Sequence, residues 1–213
     1  FDDYSRRPYF AALVRFLKYA SFFISMLLPG LYVAVATFHP AVLPHALLFN
    51  IASAVEATPF PLMLEALIIH FIYEIMREAG LRLPRPVGHA VSIVGALVIG
   101  DAAVTAGIIG SPVVMVVALT AISSFVVPSL YEPVAVLRFA FILLGGTTGL
   151  YGIALALAAL LVNICRTNSL GVPYTAPVSP FTPSAMRDVF IRAGWKQLGR
   201  RVMHIQDMRG GDL

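Results

Sequence analysis

Two acidic residues inside long apolar stretches are the strongest candidates for chemistry in this chain. Asp101 interrupts the apolar run Val87–Ile109, and Glu65 follows Pro61 among leucine and isoleucine side chains. A carboxylate at the centre of a membrane-spanning helix costs about 2.5–3.5 kcal/mol on insertion scales, so such a group seldom faces lipid. An acid in this position is typical of a pore or an ion site. Because Asp101 follows Gly100, it also suits a local helix break, or a neutral acid hydrogen-bonded to a neighbouring span. A carboxylate that snorkels to the lipid edge is the third interpretation.

Helical spacing separates the neighbours of Asp101 into two faces, at about 100° per residue. The residues on its side are Ala90, Val94, Leu97, Val98, Thr105 and Ile108, and the small residues on the opposite side are Gly88, Ser92, Gly95 and Gly110. Small residues mark close helix packing in lipid. We predict that Asp101 and Thr105 line a pore and select ions. Val94, Leu97 and Val98 would form an apolar gate that opens when it hydrates, and Gly95 and Gly100 would permit small helix movements.

The helix predicted after Pro61 carries a charged face formed by His70, Glu74, Arg77 and Glu78. Spacings of three and four residues bring these side chains together, so we expect them to pair with one another. Glu65 lies on the opposite face and has no such partner in its own helix. It is therefore the second candidate for a pore-lining or ion-selecting acid that faces water or another subunit.

Composition places much of the chain in lipid. Of 213 residues, 59% are apolar and 12% are charged, against roughly 45–50% and about 25% in soluble domains. The single cysteine, Cys165, excludes a disulfide framework and a cysteine metal cluster. Metal-binding histidine motifs, phosphate-binding glycine loops and a nucleophile elbow do not occur in the sequence. We therefore expect neither an enzyme nor a cofactor, and the lack of a basic stripe argues against nucleic-acid binding.

Five apolar stretches are candidates for membrane-spanning or re-entrant helices. They are Tyr19–Phe38, residues 41–79 (a short broken piece to Ala57, then a helix from Pro61), Val87–Ile109, Pro112–Val127 and Phe139–Ile164. Pro29-Gly30 predicts a kink in the first stretch, and Gly110-Ser111-Pro112 predicts a tight turn that makes the third and fourth a helical hairpin. Gly145 and Gly149 have the spacing that lets two helices approach closely.

Charge along the chain predicts the domain organisation. Residues 1–18 sum to +2, residues 19–164 to −2 and residues 165–213 to +4. Basic flanks favour the cytoplasmic side, so we interpret the three parts as a juxtamembrane segment, a transmembrane domain and a basic cytoplasmic segment with a short helix from Ser184. Two cytoplasmic ends require an even number of crossings, so one of the five stretches does not cross. The weakest are the charged Pro61–Ala79 helix and the short Pro112–Val127 arm.

One long block of sequence is specific enough to indicate a family. It runs from Glu65-Ala66-Leu67 through Glu74–Gly88 and continues as Ala90–Gly100. Ser111-Pro112 with Val117–Ile122, and Gly171–Tyr174 with Phe190–Ala193, add support. In these blocks the chain resembles the GerA family of spore germination proteins, which comprises germinant receptor A subunits and their stage V sporulation paralogue. Where the family often has Gln, this chain has His89 and Asp101, and Gly110 is one residue extra.

The resemblance implies an all-α polytopic protein of the bacterial spore inner membrane, with about four to five transmembrane or re-entrant helices in a homo-oligomeric, pentameric ring. Such a ring would be a channel that releases cations during germination. The implied partners are membrane lipid, further copies of the chain, a transporter-like B subunit and a lipoprotein C subunit. The resemblance also implies a soluble cytoplasmic domain before residues 1–18, which would explain why the chain opens on Phe1 rather than Met.

Two other functions are compatible with the residues. A proton- or ion-coupled secondary transporter would use Asp101 and Glu65 at a site near the membrane midplane. A non-conducting scaffold would assemble receptor partners and keep both acids buried and paired. A closed ring with an axial path would argue against both.

Overall fold

The computed structural model describes residues 7–82, 98–169, 171–179, 181, 186 and 189, and within them the chain is mostly helical, which confirms the predicted helical class. The helices are α1 (Pro8–Phe38), α2 (His45–Glu56), α3 (Leu62–Arg82), α4 (described residues 98–105), α5 (Ser111–Val126) and α6 (Tyr131–Arg166). Short 3₁₀ turns span Pro40–Val42 and Pro128–Leu130. Strands β1 (Asn168–Ser169) and β2 (Val172–Pro173) form an antiparallel pair.

Prolines lie at the start of most of these elements. The first N–H groups of a helix have no partner within the helix, so the N–H that proline lacks is not missed there. Pro8 is the first residue of α1, Pro44 directly precedes α2 and Pro112 is the second residue of α5. The broken piece predicted up to Ala57 is α2, and the helix predicted after Pro61 is α3. The prolines therefore mark the helix starts of this region correctly.

Helix α4 ends earlier than the apolar pattern predicts. The run Val87–Ile109 was expected to stay helical to its end, but the helix stops at residue 105. Gly107 has a φ of +66°, its N–H bonds to the carbonyl of Val104, and the next N–H, of Ile108, bonds to the carbonyl of Ala103. This is a Schellman motif, which ends a helix at a left-handed glycine. Residues 87–97 of this predicted span lie outside the described residues.

The chain divides into two compact units, residues 21–154 and residues 1–20 with 155–213. The core of the first unit comes from α1, α3, α5 and α6 with the turn before α5, and consists of Val33, Leu62, Ala66, Ile69, Ile109, Val113, Val117 and Ile142. In the second unit, Gly171 has a φ of +80° in the turn between β1 and β2. The hydroxyl of Tyr19 donates to the carbonyl of Val189 at 3.1 Å. The helix predicted from Ser184 falls largely outside the described residues.

Two glycines bring α1 and α6 into backbone contact within the first unit. A Cβ added at Gly30 would lie 2.6 Å from the carbonyl oxygen of Phe141, and one added at Gly145 would meet the carbonyl of Gly30. Gly149 interrupts the helical geometry of α6 with φ +68° and ψ −151°, and Phe38 packs against it. The predicted glycine pair therefore lies where two helices of one chain approach.

Among the described residues, two stretches of helix are long and apolar enough to cross a membrane, Pro8–Phe38 and Pro128–Arg166, and α5 is a shorter apolar helix. Large apolar side chains of α6 such as Tyr151 and Val162 are 75% and 60% exposed, which suits contact with lipid or with another protein. Both helices exceed the predicted spans, Tyr19–Phe38 and Phe139–Ile164. The predicted domain limits after residues 18 and 164 therefore fall inside helices, because hydropathy detects only the apolar part of each helix.

Candidate functional site

Asp101 lies on the outer side of the hairpin formed by α4 and α5. It is exposed, as are Thr105 one turn later and Val98 nearly one turn earlier. Gly100 is buried, with its position for a Cβ 3.6 Å from Val114 of α5, so α4 packs on α5 through a residue without a side chain. Within the described part of the chain, no cation pairs with Asp101.

Most of the other residues predicted around Asp101 lie before residue 98. The gate residues Val94 and Leu97, and the small residues Gly88, Ser92 and Gly95, lie outside the described residues. Their roles as gate and packing residues stay predictions. Of the predicted set on this helix, the structure locates Val98, Gly100, Asp101 and Thr105.

Glu65 lies in the interior of the chain rather than on a surface. It is 0% exposed, it accepts the backbone N–H of Gly110 at 2.9 Å, and it accepts the hydroxyl of Thr58. The expectation that Glu65 faces water or another subunit is therefore wrong for this chain. Both donors come from loops outside α3, one of them 45 residues away, so the periodicity of α3 could not reveal them.

The contact between Glu65 and Gly110 completes the start of α5. Gly110 is the N-cap residue, with φ −69° and ψ 140°, and has no side chain to accept the free N–H groups of the first turn. The first turn of α5 contains no acidic residue. A carboxylate from another helix therefore accepts the N-cap N–H, as a glutamate three residues into the helix does in a capping box. Its negative charge also suits the positive end of the helix dipole.

The charged face of α3 pairs partly as predicted. Arg77 forms a salt bridge of 3.0 Å with Glu74, whereas Glu78 pairs with Arg82 at 2.8 Å. The hydroxyl of Tyr131 donates to Glu74 at 2.5 Å, and the Arg77 guanidinium lies 3.4 Å from the centre of the Tyr131 ring. This face therefore attaches α3 to the start of α6.

His70 departs from the predicted charged face because its side chain turns inward. It is 1% exposed, and its Nδ1 lies 2.8 Å from the carbonyl oxygen of Ala66. A carbonyl only accepts, so Nδ1 carries the proton and Nε2 is the acceptor. Nε2 is buried without a partner among the described residues.

Arg138 is a buried cation that sequence analysis did not single out. It is 1% exposed, and its Nε donates to the carbonyl oxygen of Ser25 at 2.9 Å. In a regular helix that carbonyl would accept the N–H of residue 29, but Pro29 has none. Arg138 thus satisfies the backbone acceptor that Pro29 leaves free. The signal was present in the sequence, since a proline inside a predicted span requires a donor from elsewhere.

The described residues contain no group of three or more His, Cys, Asp or Glu side chains that could hold a metal ion. The two buried charged residues, Glu65 and Arg138, each bind backbone groups. Asp101 differs from both, because it is exposed and binds no backbone group or cation among the described residues.

Comparison with known proteins decides the family. The family model described as Bacillus/Clostridium GerA spore germination protein matches residues 1–204. The chain belongs to the GerA family. This confirms the resemblance carried by the block from Glu65 to Gly100. GerA is a family of germination proteins and not a known enzyme family.

Several curated relatives share this family membership. Spore germination protein KA of Bacillus subtilis (strain 168) is 45% identical over 196 residues, which cover 91% of this chain and 36% of that protein. Uncharacterized membrane protein YfkQ of the same organism is 44% identical over 202 residues, 94% of this chain and 39% of that protein. Spore germination protein GerLA of Bacillus cereus is 41% identical over 207 residues, which cover 96% of this chain and 42% of that protein. This GerA-family chain therefore spans about two fifths of the relatives it matches. No solved structure matches it.

Proposed function

We propose that this GerA-family chain is the membrane part of one subunit of a ring-shaped, pentameric cation channel. The channel would lie in the inner membrane of the bacterial spore and release cations when germination begins. The observation that carries the proposal is the carboxylate of Asp101, which is exposed in an otherwise apolar hairpin and has no cationic partner among the described residues.

An exposed carboxylate at this place has three possible surroundings, namely lipid, another subunit or water. Lipid is disfavoured because an ionised carboxylate is costly within the hydrocarbon region, and pairing with another subunit needs a cation there. A ring of subunits around a water-filled axis gives the carboxylate water and concentrates cations near it. Thr105 and Val98 lie on the same side of α4 as Asp101, so they would line the same path.

The proposal includes an arrangement in the membrane. Residues 19–164 form the transmembrane domain, and residues 1–18 and 165–213 lie on the cytoplasmic side, where their basic side chains contact anionic lipid. A transporter-like B subunit and a lipoprotein C subunit are the proposed partners. Val94 and Leu97, with Val98, form the gate.

The test compares Asp101→Asn with wild type in the full-length protein reconstituted in lipid vesicles. We expect cation efflux to fall by about tenfold, the lower end of the range by which a charged cleft raises local ion concentration, with the oligomer unchanged. Glu132→Gln, at an exposed acid near the start of α6, is the matched control and should leave efflux unchanged.

The number of subunits is measured on the same samples by native mass spectrometry. A closed ring of five with reduced efflux in Asp101→Asn supports the channel. Unchanged efflux and selectivity in that variant would remove Asp101 from the pore, and a monomer or dimer would favour the transporter or the scaffold.

A further inference from the structure

Two loops of the first unit form a clasp next to the proposed pore helix. One is the α2–α3 loop, residues 57–61, and the other is the α4–α5 turn, residues 106–110. A Cβ at Gly110 would lie 3.5 Å from the Cβ of Ala54, at the end of α2, and a Cβ at Gly107 would lie 3.7 Å from the carbonyl oxygen of Ala57. Glu65 joins the two loops, because one carboxylate accepts from both Thr58 and Gly110.

Glu65 is the strongest element of this clasp. Its carboxylate is 0% exposed, and a buried charge is costly unless donors surround it. Hydrogen bonds to an ionised group are about twice as strong as those between neutral groups. The contacts at Ala54 and Ala57 are ordinary van der Waals distances. Removing the charge of Glu65 should therefore loosen the α4–α5 turn without removing any apolar core side chain.

We propose that the clasp holds the pore helix α4 in its resting position, and that the channel opens by releasing it. Glu65 is then a positioning residue and not a pore-lining one. Gly107 ends α4 and Gly110 begins α5, so the turn held by Glu65 lies within ten residues of Asp101. This inference rests on the proposed channel function and adds the device that keeps the channel closed.

The first experiment replaces Glu65 by Gln in the full-length protein in vesicles loaded with rubidium ions. Gln keeps the size of the side chain but turns an NH₂ group toward one of the two donors. We expect basal rubidium efflux to rise about tenfold or more, since one hydrogen bond to a charged group corresponds to a change of that size in an equilibrium constant. Thr58→Ala, which removes one donor, should give a smaller rise. Glu78→Gln, at the exposed end of α3, should behave as wild type.

A reversible cross-link then tests whether release of the clasp is the cause. Ala54→Cys with Gly110→Cys places two Cβ atoms about 3.5 Å apart, within the disulfide range of 3.5–4.5 Å. Cys165, which is exposed, is replaced by Ser. In the Glu65→Gln background we expect oxidation to abolish the excess efflux and reduction to restore it. Efflux from Glu65→Gln at the wild-type level, or excess efflux that persists after complete oxidation, would overturn the inference.

The rate of disulfide formation separates this inference from the channel proposal. If no variant and no wild-type protein conducts, the channel proposal fails, but the clasp is still measured by cross-linking. With Glu65 present the two cysteines should react about tenfold faster than in Glu65→Gln, because the intact clasp keeps them adjacent. Equal rates would overturn the clasp. If Glu65→Gln does not assemble, Thr58→Ala with the same cysteine pair takes its place and is judged by the same comparison.

Discussion

The contact between Arg138 and the carbonyl of Ser25 can be tested by a double-mutant cycle with Pro29. Pro29 removes the N–H that would otherwise bind this carbonyl, and Arg138 supplies a substitute donor at 2.9 Å. Arg138→Met removes the donor while keeping an unbranched apolar side chain of similar length. Pro29→Ala restores the backbone N–H, so the carbonyl no longer depends on Arg138.

The expected coupling follows from the cost of an unsatisfied buried carbonyl, which is about 1–3 kcal/mol. In the wild-type background Arg138→Met removes the only donor that the described residues provide to Ser25 in place of Pro29. In the Pro29→Ala background the same change leaves the carbonyl satisfied. The benefit of removing a buried cation is the same in both backgrounds and cancels in the cycle. A coupling free energy of about 2 kcal/mol remains.

The assay is thermal unfolding of the four purified proteins in one detergent. At about 2–4 °C per kcal/mol for a chain of this length, Arg138→Met should lower Tm by about 4–8 °C more in the wild-type background than in Pro29→Ala. The control cycle pairs Arg138→Met with Gly100→Ala, which lies on α4 and should be additive. Additivity within about 0.5 kcal/mol in the Pro29 cycle would refute the assigned role of Arg138.

Three further predictions concern stability and use the same unfolding assay. Gly30→Ala should destabilise the chain by about 1–3 kcal/mol, because its Cβ would lie 2.6 Å from a backbone oxygen of α6 and overpacking costs that much. Gly100→Ala, whose Cβ would make an ordinary van der Waals contact of 3.6 Å with Val114, should be neutral or stabilising by up to about 1 kcal/mol, and equal Tm changes would contradict this. Tyr131→Phe should lower the free energy of unfolding by about 1.5–3 kcal/mol, because the hydrogen bond to Glu74 is lost. Arg82→Ala removes an exposed ion pair and should lower it by less than about 1 kcal/mol. A larger effect of Arg82→Ala than of Tyr131→Phe would be inconsistent with the structure. Gly149→Ala should lower Tm because the φ of +68° at this position strains any L side chain, and an unchanged Tm would show that α6 can become regular there.

The sequence predicts the helices and the starts near Pro61 and Pro112 well, because each depends on neighbours within a few residues. Its periodicity also predicts that Asp101 and Thr105 share one side of α4, and both residues are exposed in the structure. The predicted positions of the helix ends are less accurate. Gly107 ends α4 before the apolar pattern does, and α1 begins at Pro8, well before the apolar run. Local hydropathy does not register either feature.

Contacts between distant residues were beyond the sequence pattern. Glu65 was expected on a water-facing or subunit-facing surface because its own helix offers no partner, and its donors belong to two other loops. Arg138 directly precedes the predicted span Phe139–Ile164, so the hydropathy pattern gives no sign that this residue is buried. In both cases a charged side chain is buried against a backbone group that only the fold brings near.

The two buried charges of the described residues, Glu65 and Arg138, have structural roles. Gly110 begins a helix without a capping side chain, and Glu65 accepts its N–H; Pro29 leaves a carbonyl without its donor, and Arg138 supplies one. Each charge therefore satisfies a local backbone defect, a free donor at a helix start in one case and an acceptor freed by a proline in the other. Asp101 satisfies no such defect within the described residues, and its carboxylate is exposed. Backbone contacts explain the two buried charges, whereas the exposed charge of Asp101 has no such contact among the described residues, and ion selection in a pore is the role that we propose for it.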